Sequence, residues 1–226
     1  EMSISQNIDQ VLKSIPENVK LIAVSKTKPN EVIVEAYNGG YKIFGENKPQ
    51  ELKGKFEELA KDIEWHFIGH LQTNKVKYIA EFVHLIHAVD SMKLLKEINK
   101  QALKHNRVIN CLLQFHIAME ESKFGYDLSE AMEMLNSDEF MILENINIVG
   151  VMGMATFTDD HDQVRSEFKQ LKTNFDVLKV ECFKDKLDFT EVSMGMSGDY
   201  QIAIEEGSTM VRVGSSIFGA RQDAQK

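Results

Sequence analysis

LIAVSKTKP, running from Leu21 to Pro29, is the stretch of this chain that decides the fold. Its first four residues are all apolar, a pattern typical of a strand buried on both faces of a parallel sheet. The run stops at two lysines, Lys26 and Lys28, ahead of the proline. Lysine is rarely buried, so lysines at the end of such a strand are either ordinary loop cations or amines held for chemistry such as imine formation.

Composition places the chain among ordinary globular proteins. Of its 226 residues, 43% are hydrophobic and 27% are charged, and three prolines without any low-complexity tract leave no obvious linker, which predicts one domain over residues 1–226. The formal charge of −9 argues against a nucleic-acid or acidic-membrane partner. The two cysteines, Cys111 and Cys182, lack ligand or disulfide spacing, and no signal peptide or long apolar span is present, so we expect a cytoplasmic protein.

Strand-like and helical patterns alternate along the chain. After an amphipathic helix within residues 3–14, strands are predicted at 20–25, 41–45, 63–69, 84–89, 110–117, 146–152, 187–192 and 209–213. Helices are predicted between them at 30–37, 49–60, 73–81, 92–106, 128–136, 160–180 and 199–206. This alternation indicates βαβ units and favours a (β/α)8 TIM barrel with an additional N-terminal helix. A doubly wound open sheet is the alternative, but the first strand-to-helix loop has no GxGxxG.

In such a barrel the residues that follow the strands share one rim, where active sites form. Lys26 lies on that rim after the first strand, and two loops rich in glycine and serine, residues 193–198 and 214–216, follow strands seven and eight. Glycines let backbone N–H groups approach a ligand closely, and serine hydroxyls add further donors to an anion. These adjacent loops predict a phosphate site.

Arg212 stands inside the apolar eighth strand, between Val211 and Val213. An arginine in such a place needs a counterpart, which is either a carboxylate or a ligand. Together with the phosphate site and an interior lysine on strand one, Arg212 describes a pocket for a phosphate ester that carries an aldehyde. Pyridoxal 5′-phosphate is the obvious candidate for this cofactor.

The histidines do not form a metal-binding motif. His66, His70, His84 and His87 fall on predicted strands and loops, and the helical spacing of an HExxH motif is missing. The sequence therefore predicts no metal site.

Several segments of the chain carry a family resemblance. They are LIAVSKTKP (21–29), GEN (45–47), WHFIGHLQTNK (65–75), SKFG (122–125) and SMGMSGDYQIAIEEGSTMVRVGSSIFGAR (193–221). These segments resemble the signature motifs of the pyridoxal phosphate homeostasis protein family, the single-domain relative of the alanine racemase barrel. The match extends over nearly the whole chain, and the long C-terminal motif makes it specific.

The resemblance implies a role for each matched position. Lys26, the first lysine of SKTKP, would form the internal aldimine with pyridoxal phosphate, whereas Lys28 would stay outside it. Arg212 would face the pyridine nitrogen. The other residues implied at the cofactor are those lining its phosphate, Ser193, Met196, Ser197, Gly214 and Ser215, and two near it, Asn47 and His66.

The expected function is that of a carrier of pyridoxal phosphate rather than an enzyme. The always-charged guanidinium of Arg212 disfavours protonation of the pyridine nitrogen, which makes the ring a poorer electron sink. The sequence also leaves no residues for the second domain that completes the site in the racemase relatives, so we expect a monomer without catalytic residues. The resemblance implies a role in intracellular vitamin B6 homeostasis, with apo-enzymes as transient acceptors of the cofactor.

Two enzyme classes remain as alternatives. One is a pyridoxal-phosphate-dependent amino-acid racemase that uses an acid/base such as His66. The other is a class I aldolase or a sugar-phosphate isomerase, because a lysine imine and a phosphate site also occur together on that fold. A lysine on strand one beside an arginine on strand eight favours the carrier and the racemase.

Overall fold

Eight parallel strands close into a barrel in the order of the sequence. The computed structural model describes residues 2–120 and 124–219, so part of the SKFG motif, including Lys123, and the end of the C-terminal motif lie outside the described residues. The strands are β1 (Lys20–Val24), β2 (Ile43–Glu46), β3 (Glu64–Phe67), β4 (Leu85–Val89), β5 (Ile109–Gln114), β6 (Ile146–Met152), β7 (Glu191–Met196) and β8 (Met210–Val213). β1 pairs with both β2 and β8, which confirms the predicted (β/α)8 TIM barrel.

Helices surround the barrel, and the predicted N-terminal helix is confirmed as α1. Within the described residues the helices are α1 (Ile4–Lys13), α2 (Asn30–Asn38), α3 (Pro49–Glu58), a 3₁₀ helix (Thr73–Tyr78), α4 (Met92–Lys104), α5 (Leu128–Leu135), α6 (Asp138–Met141), α7 (His161–Glu181), α8 (Tyr200–Glu205) and α9 (Ser215–Phe218). The side chain of Ser3 caps α1 by accepting a hydrogen bond from the backbone of Gln6, and the side chain of Gln6 accepts one in return from the backbone of Ser3. In the described part of the chain, none of these helices is long and apolar enough to cross a membrane.

Side chains of the strands alternate between the barrel interior and the layer under the helices. Leu21 and Ala23 of β1 join the large apolar core between strands and helices, whereas Ile22 joins a smaller apolar cluster inside the barrel. β8 follows the same pattern, with Val211 outward and Met210 inward. Because side chains alternate with a period of two, every second residue of a strand points into the barrel interior.

The barrel interior also contains polar side chains. His66 of β3, His87 of β4, Ser193 of β7 and Arg212 of β8 are each at most 3% exposed. Buried polar groups are costly unless they are hydrogen-bonded, so these side chains need partners inside the barrel. They find those partners in one another.

The seventh strand differs from its prediction over residues 187–192, because β7 covers Glu191–Met196. Leu187 is 91% exposed, while Ser193, expected in a loop, is fully buried within the strand. Gly195, at φ 105°, lies at a register shift where an added Cβ would come within 2.8 Å of a side chain of α8. The small residues that suggested a loop therefore serve close packing within a strand.

The helix predicted at residues 73–81 is a 3₁₀ helix over Thr73–Tyr78. Val76 and Ile79, three residues apart, are both fully buried. Ile79 follows the last helical residue, and its backbone N–H donates to the Val76 carbonyl at 3.0 Å, so the i to i+3 hydrogen bonding of the 3₁₀ helix extends to its C-cap. The position of the helix after β3 agrees with the prediction, and its type differs.

Candidate cofactor-binding site

A cavity of about 780 Å³ opens at the carboxyl ends of the strands. Its wall is built from residues that follow β1, β5, β6, β7 and β8. The structure brings six of the predicted site residues together there, namely Lys26, Met196, Ser197, Arg212, Gly214 and Ser215. The rim expected from the sequence is thus the place where these side chains meet.

Lys26 reaches the cavity because it continues the inward face of β1. Ile22 of that strand faces the barrel interior. Lys26 follows Ile22 by four residues, and residues an even number apart along an extended chain point to the same face. Lys26 is half-buried and lines the cavity, whereas Lys28 lines a separate shallow pocket beside α3. Between them Thr27 adopts a φ of 64°, a strained value for a β-branched residue that turns the chain sharply. The two lysines of SKTKP therefore have different surroundings.

A buried ion cluster holds the backbone on both sides of Lys26. The Lys55 amine of α3 lies 2.9 Å from the Ser25 carbonyl oxygen, 3.0 Å from Glu46 Oε2 and 2.8 Å from Glu51 Oε2. Glu51 Oε2 also accepts the backbone N–H of the strained residue Thr27 at 2.8 Å. These five residues are called the Lys55 cluster, and they fix the turn that presents Lys26.

Glu46 is the most buried charge of the Lys55 cluster. Its side chain is fully buried, and burial raises the pKa of the carboxyl to about 7, although Lys55 and Ser25 act to lower it. Ser25 donates its hydroxyl to Glu46 Oε2, while Oε1 has no hydrogen-bond partner within the described residues. Removal of the Lys55 charge would therefore leave a carboxylate in a place with few other donors.

The loops after β7 and β8 are tied to each other. Ser197 Oγ accepts a hydrogen bond from the backbone N–H of Gly214 at 3.2 Å. One residue earlier, the backbone N–H of Met196 donates to Asp199 Oδ1 at 2.7 Å, which closes a tight turn. The two glycine- and serine-rich loops thus form one wall of the cavity.

This wall has free backbone donors. In the described part of the chain, the N–H groups of Ser197, Gly198, Ser215 and Ser216 have no hydrogen-bond acceptor. A Cβ added at Gly198 would meet no atom within 4 Å, so the backbone there is open to a ligand. Free N–H groups beside serine hydroxyls are the donor set that a phosphate monoester requires, and the site fits such a group.

Arg212 stands on the cavity wall as a buried cation. It is 3% exposed, and its Nη1 donates to Ser193 Oγ at 2.6 Å while its Nη2 donates to the Gly153 carbonyl at 3.1 Å. Burial lowers the pKa of Arg212 to about 10, so the guanidinium stays charged at neutral pH. These two contacts fix the plane of the guanidinium.

Three predicted site residues do not line the cavity. Ser193 is fully buried and bonds to Arg212, and His66 is fully buried with its Nε2 2.7 Å from Glu64 Oε2. Asn47 follows β2, and its Oδ1 is buried without a hydrogen-bond partner among the described residues. These side chains lie away from the cavity surface, and Ser193 contacts Arg212 directly.

A cluster at the opposite end of the barrel combines side chains that metals also favour. Ligand atoms of Glu64, His66 and His84 lie within 4.8 Å of one another. The Lys20 amine lies 2.8 Å from Glu64 Oε2 and supplies a cation to the same carboxylate. A nearby ammonium opposes the binding of a metal ion, so the cluster is accounted for by hydrogen bonds and an ion pair.

The two buried histidines, His66 and His87, are expected to lower the stability of the protein as the pH drops from about 7 to about 5. Burial lowers the pKa of His66 from 6.5 to about 4 and also lowers that of His87. The unfolded chain therefore binds protons on both rings below about pH 6.5, while the folded chain resists them. We expect the free energy of unfolding, measured in urea, to decrease by about 2 kcal/mol from His66 alone.

Glu46 acts in the opposite direction. Its pKa is raised from 4.5 to about 7 by burial, so its stabilising contribution is complete below about pH 4.5 and is lost as the pH rises through 7. The histidine effect is therefore best measured in a Glu46→Gln variant, which removes this opposing titration. A free energy of unfolding that stays constant between pH 7 and 5 in that variant would contradict neutral, buried histidines.

Sequence reasoning missed the Lys55 cluster and His87. Glu46 offers the signal, because a carboxylate at the end of an apolar strand demands a counterpart just as Arg212 does. His87 lies two residues after Leu85 on the same inward face of β4, so strand alternation also indicates its position. Neither signal predicts which side chain contacts Glu46 or His87.

Comparisons with known proteins show which protein family this sequence resembles. The family model for the N-terminal domain of alanine racemase matches residues 2–222. The pyridoxal phosphate homeostasis protein of Aquifex aeolicus is 42% identical over 204 residues, which cover 90% of this chain and 87% of that protein. The chain belongs to the pyridoxal phosphate homeostasis protein family. Another family member, from Escherichia coli K12, is 37% identical over 93% of this chain and 89% of its own length.

Solved structures of similar proteins agree with the fold. PipY of Synechococcus elongatus without pyridoxal phosphate superimposes with a TM-score of 0.89 at 34% identity, covering 96% of this chain and 100% of that one. The same protein with pyridoxal phosphate bound gives a TM-score of 0.86 at 33% identity, with the same coverage. Alanine racemase of Streptomyces coelicolor shares the fold alone, with a TM-score of 0.76 at 14% identity over 96% of this chain and 58% of that one. The family resemblance drawn from the sequence motifs is confirmed.

Proposed function

We propose that this chain binds pyridoxal phosphate in the barrel cavity and holds it covalently through Lys26. The observation that carries the proposal is the position of Lys26, which lines the same cavity as Ser197 and Ser215. Condensation of its amine with the aldehyde of the cofactor forms one carbon–nitrogen double bond and releases one water. The name of the relatives and the relative solved with pyridoxal phosphate bound support this cofactor.

The wall formed by the β7 and β8 loops is the expected phosphate site. Its free N–H groups belong to residues 197, 198, 215 and 216, and the hydroxyls of Ser197 and Ser215 stand beside them. Hydrogen bonds from backbone N–H groups to an anion are stronger than those between neutral groups. The charge of Arg212 on the same cavity adds attraction for a dianion without a direct contact.

Arg212 is the residue we assign to the ring of the cofactor. When bound, pyridoxal phosphate supplies an aldehyde and an electron-accepting ring. A permanent cation beside the ring nitrogen disfavours protonation of that nitrogen and so makes the ring a weaker electron acceptor. The contacts of Arg212 with Ser193 and Gly153 hold its charge in place rather than letting it swing away. Such a site favours holding the cofactor over carbanion chemistry.

The proposed role is therefore that of a carrier in intracellular vitamin B6 homeostasis, acting as a cytoplasmic monomer that passes the cofactor to apo-enzymes. The relatives carry the name of a homeostasis protein rather than that of an enzyme. His66, the acid/base suggested for the racemase alternative, is fully buried between Glu64 and His87 and does not line the cavity. This placement supports the carrier over the racemase.

Covalent mapping tests the binding proposal. The purified protein is incubated with pyridoxal phosphate, reduced with borohydride and digested, and the labelled peptide is identified by mass spectrometry. We expect the label on Lys26, because that amine lines the cavity. A label only on Lys28 or Lys123, or no uptake of the cofactor at all, would overturn the assignment.

Turnover is tested separately on the loaded protein. Incubation with single-enantiomer amino acids in deuterated water is expected to give neither inversion nor exchange of the α-proton. The Lys26→Ala protein provides the background. Appreciable exchange above that background would replace the carrier with a racemase-like enzyme.

A further inference from the structure

A continuous chain of hydrogen bonds runs through the barrel interior. Glu64 Oε2 lies 2.7 Å from His66 Nε2, and His66 Nδ1 lies 2.8 Å from His87 Nε2. On the other side of that ring, His87 Nδ1 lies 2.9 Å from Ser193 Oγ, which accepts a hydrogen bond from Arg212 Nη1 at 2.6 Å. We call these five residues the interior chain. It is contributed by β3, β4, β7 and β8.

The two ends of the interior chain differ in chemistry. Glu64 is the first residue of β3, at the end of the barrel opposite the cavity, and its side chain is 24% exposed. Burial acts to raise its pKa, but hydrogen bonds from His66 and Lys20 lower it to about 2, so Glu64 is an ionised acceptor. Arg212 at the cavity end has only N–H donors. The interior chain therefore has a pure donor, Arg212, at one end and a pure acceptor, Glu64, at the other.

These ends set the direction of every hydrogen bond between them. His66 must place its single proton on Nε2 to meet the carboxylate of Glu64, which leaves Nδ1 as an acceptor. His87 must then donate through Nε2 to His66, so its own Nδ1 accepts the hydroxyl proton of Ser193. Reversing any one link would bring two lone pairs or two protons face to face.

The direction matters because it fixes what Ser193 offers to Arg212. With its proton given to His87, the hydroxyl presents only lone pairs to the guanidinium. No carboxylate lies within 4 Å of Arg212 in the part of the chain that the structure describes. Asp199 is the acidic group that acts on the guanidinium charge from a greater distance. The carbonyl oxygens of Gly153 and Ser193 also accept hydrogen bonds from Arg212, at 3.1 and 3.3 Å. The contact through Ser193 Oγ links the buried cation to a row of aligned dipoles that ends at Glu64.

We propose that Glu64, His66 and His87 are positioning residues for Arg212, so that a carboxylate at one end of the barrel orients a guanidinium in the cavity at the other end. The effect on the guanidinium needs no ligand. The effect on a bound ring rests in addition on the proposed function, because it requires pyridoxal phosphate beside Arg212. The two parts are tested by different measurements.

The first measurement uses the protein without cofactor. Nitrogen-15 NMR of labelled histidine and arginine is expected to show His66 and His87 as neutral Nε2–H tautomers and two resolved Nη signals for Arg212. In Glu64→Met we expect a changed tautomer for His66 and merging of the Nη signals, because the guanidinium rotates more freely. Glu64→Gln keeps an acceptor oxygen and should restore the native tautomers.

The second measurement uses the protein loaded with pyridoxal phosphate. Glu64→Met is expected to shift the visible absorption band and its pH dependence, and to weaken cofactor binding by about tenfold, while Glu64→Gln stays close to the unchanged protein. Glu191→Gln is the matched control, because Glu191 begins β7 at the same end of the barrel and bonds to Thr209 rather than to the interior chain. Thermal unfolding of each variant verifies that it is folded.

The outcomes separate the two proposals. Unchanged tautomers and unchanged Nη signals in a folded Glu64→Met protein would overturn the interior chain as a positioning device. A native protein that shows the expected tautomers but takes up no pyridoxal phosphate would overturn the proposed function and leave the positioning of Arg212 supported. Equal spectral shifts in Glu64→Met and Glu191→Gln would also count against the interior chain as a positioning device. The loss of one negative charge at that end of the barrel would then explain both shifts.

Discussion

Replacing Lys26 by alanine is expected to abolish covalent uptake of pyridoxal phosphate. Lys26 is the amine of the SKTKP turn that lines the cavity, and no other side-chain amine of the described residues lines it. Without Lys26 the aldehyde meets no side-chain amine among the described residues that line the cavity, and only contacts with the phosphate and ring remain. The yellow colour of the loaded protein and the mass added after borohydride reduction should both disappear.

Lys28→Ala is the matched control for this experiment. Lys28 belongs to the same turn and carries the same charge, but it lines the shallow pocket beside α3. Uptake by this variant should remain within about twofold of the unchanged protein, since rim charges contribute little to binding. Loss of colour in Lys28→Ala together with retention in Lys26→Ala would reverse the assignment of the two lysines.

Lys55→Met is expected to produce the largest loss of stability among single changes at the site. Lys55 is 6% exposed and bonds to Glu46, Glu51 and the Ser25 carbonyl. Removing one member of a buried ion pair leaves an uncompensated charge and costs about 3 to 5 kcal/mol. Urea denaturation should show this loss, and Tm should fall on the order of 10 °C.

The loss should depend on pH in a way that identifies its cause. Burial raises the pKa of Glu46 although Lys55 lowers it, so without Lys55 the carboxyl takes up a proton more readily as the pH falls, and the uncompensated charge disappears. The penalty of Lys55→Met is therefore expected to be larger at pH 8 than at pH 6. Lys53→Met is the control on the same helix, because Lys53 is 49% exposed and lies 3.7 Å from Glu57, and it should change the free energy of unfolding by less than about 0.5 kcal/mol.

The barrel could be predicted from the sequence because its strands are buried on both faces. Runs such as Leu21–Val24 are uniformly apolar, and helical patterns separate them at regular intervals. The end of each apolar run also predicts where the rim lies. Lys26 is therefore predicted at the carboxyl end of the barrel, where the structure has it. The sequence predicts the seventh strand too early because Ser193 and Gly195 are small, and small residues suit a loop and a tightly packed strand equally.

Contacts across the barrel could not be predicted in the same way. Which inward side chains meet depends on the stagger between strands, and sequence alternation gives only the face that each residue occupies. His66 and His87 face inward by alternation, but their contact with each other and with Ser193 follows from the closed geometry. The same holds for Lys55, whose reach to Glu46 depends on how α3 packs against β2.

Closure of the barrel also has a consequence for biosynthesis. β8 pairs with β1, so Lys26 joins Arg212 and Gly214 only after the last strand has docked against the first. A nascent chain that has emerged from the ribosome as far as β7 carries Lys26 without the wall that would hold a phosphate. Contacts between distant parts of a chain form late and slowly during folding. Under the proposed function, only a chain whose last strand has docked presents Lys26 together with the wall that would hold the phosphate.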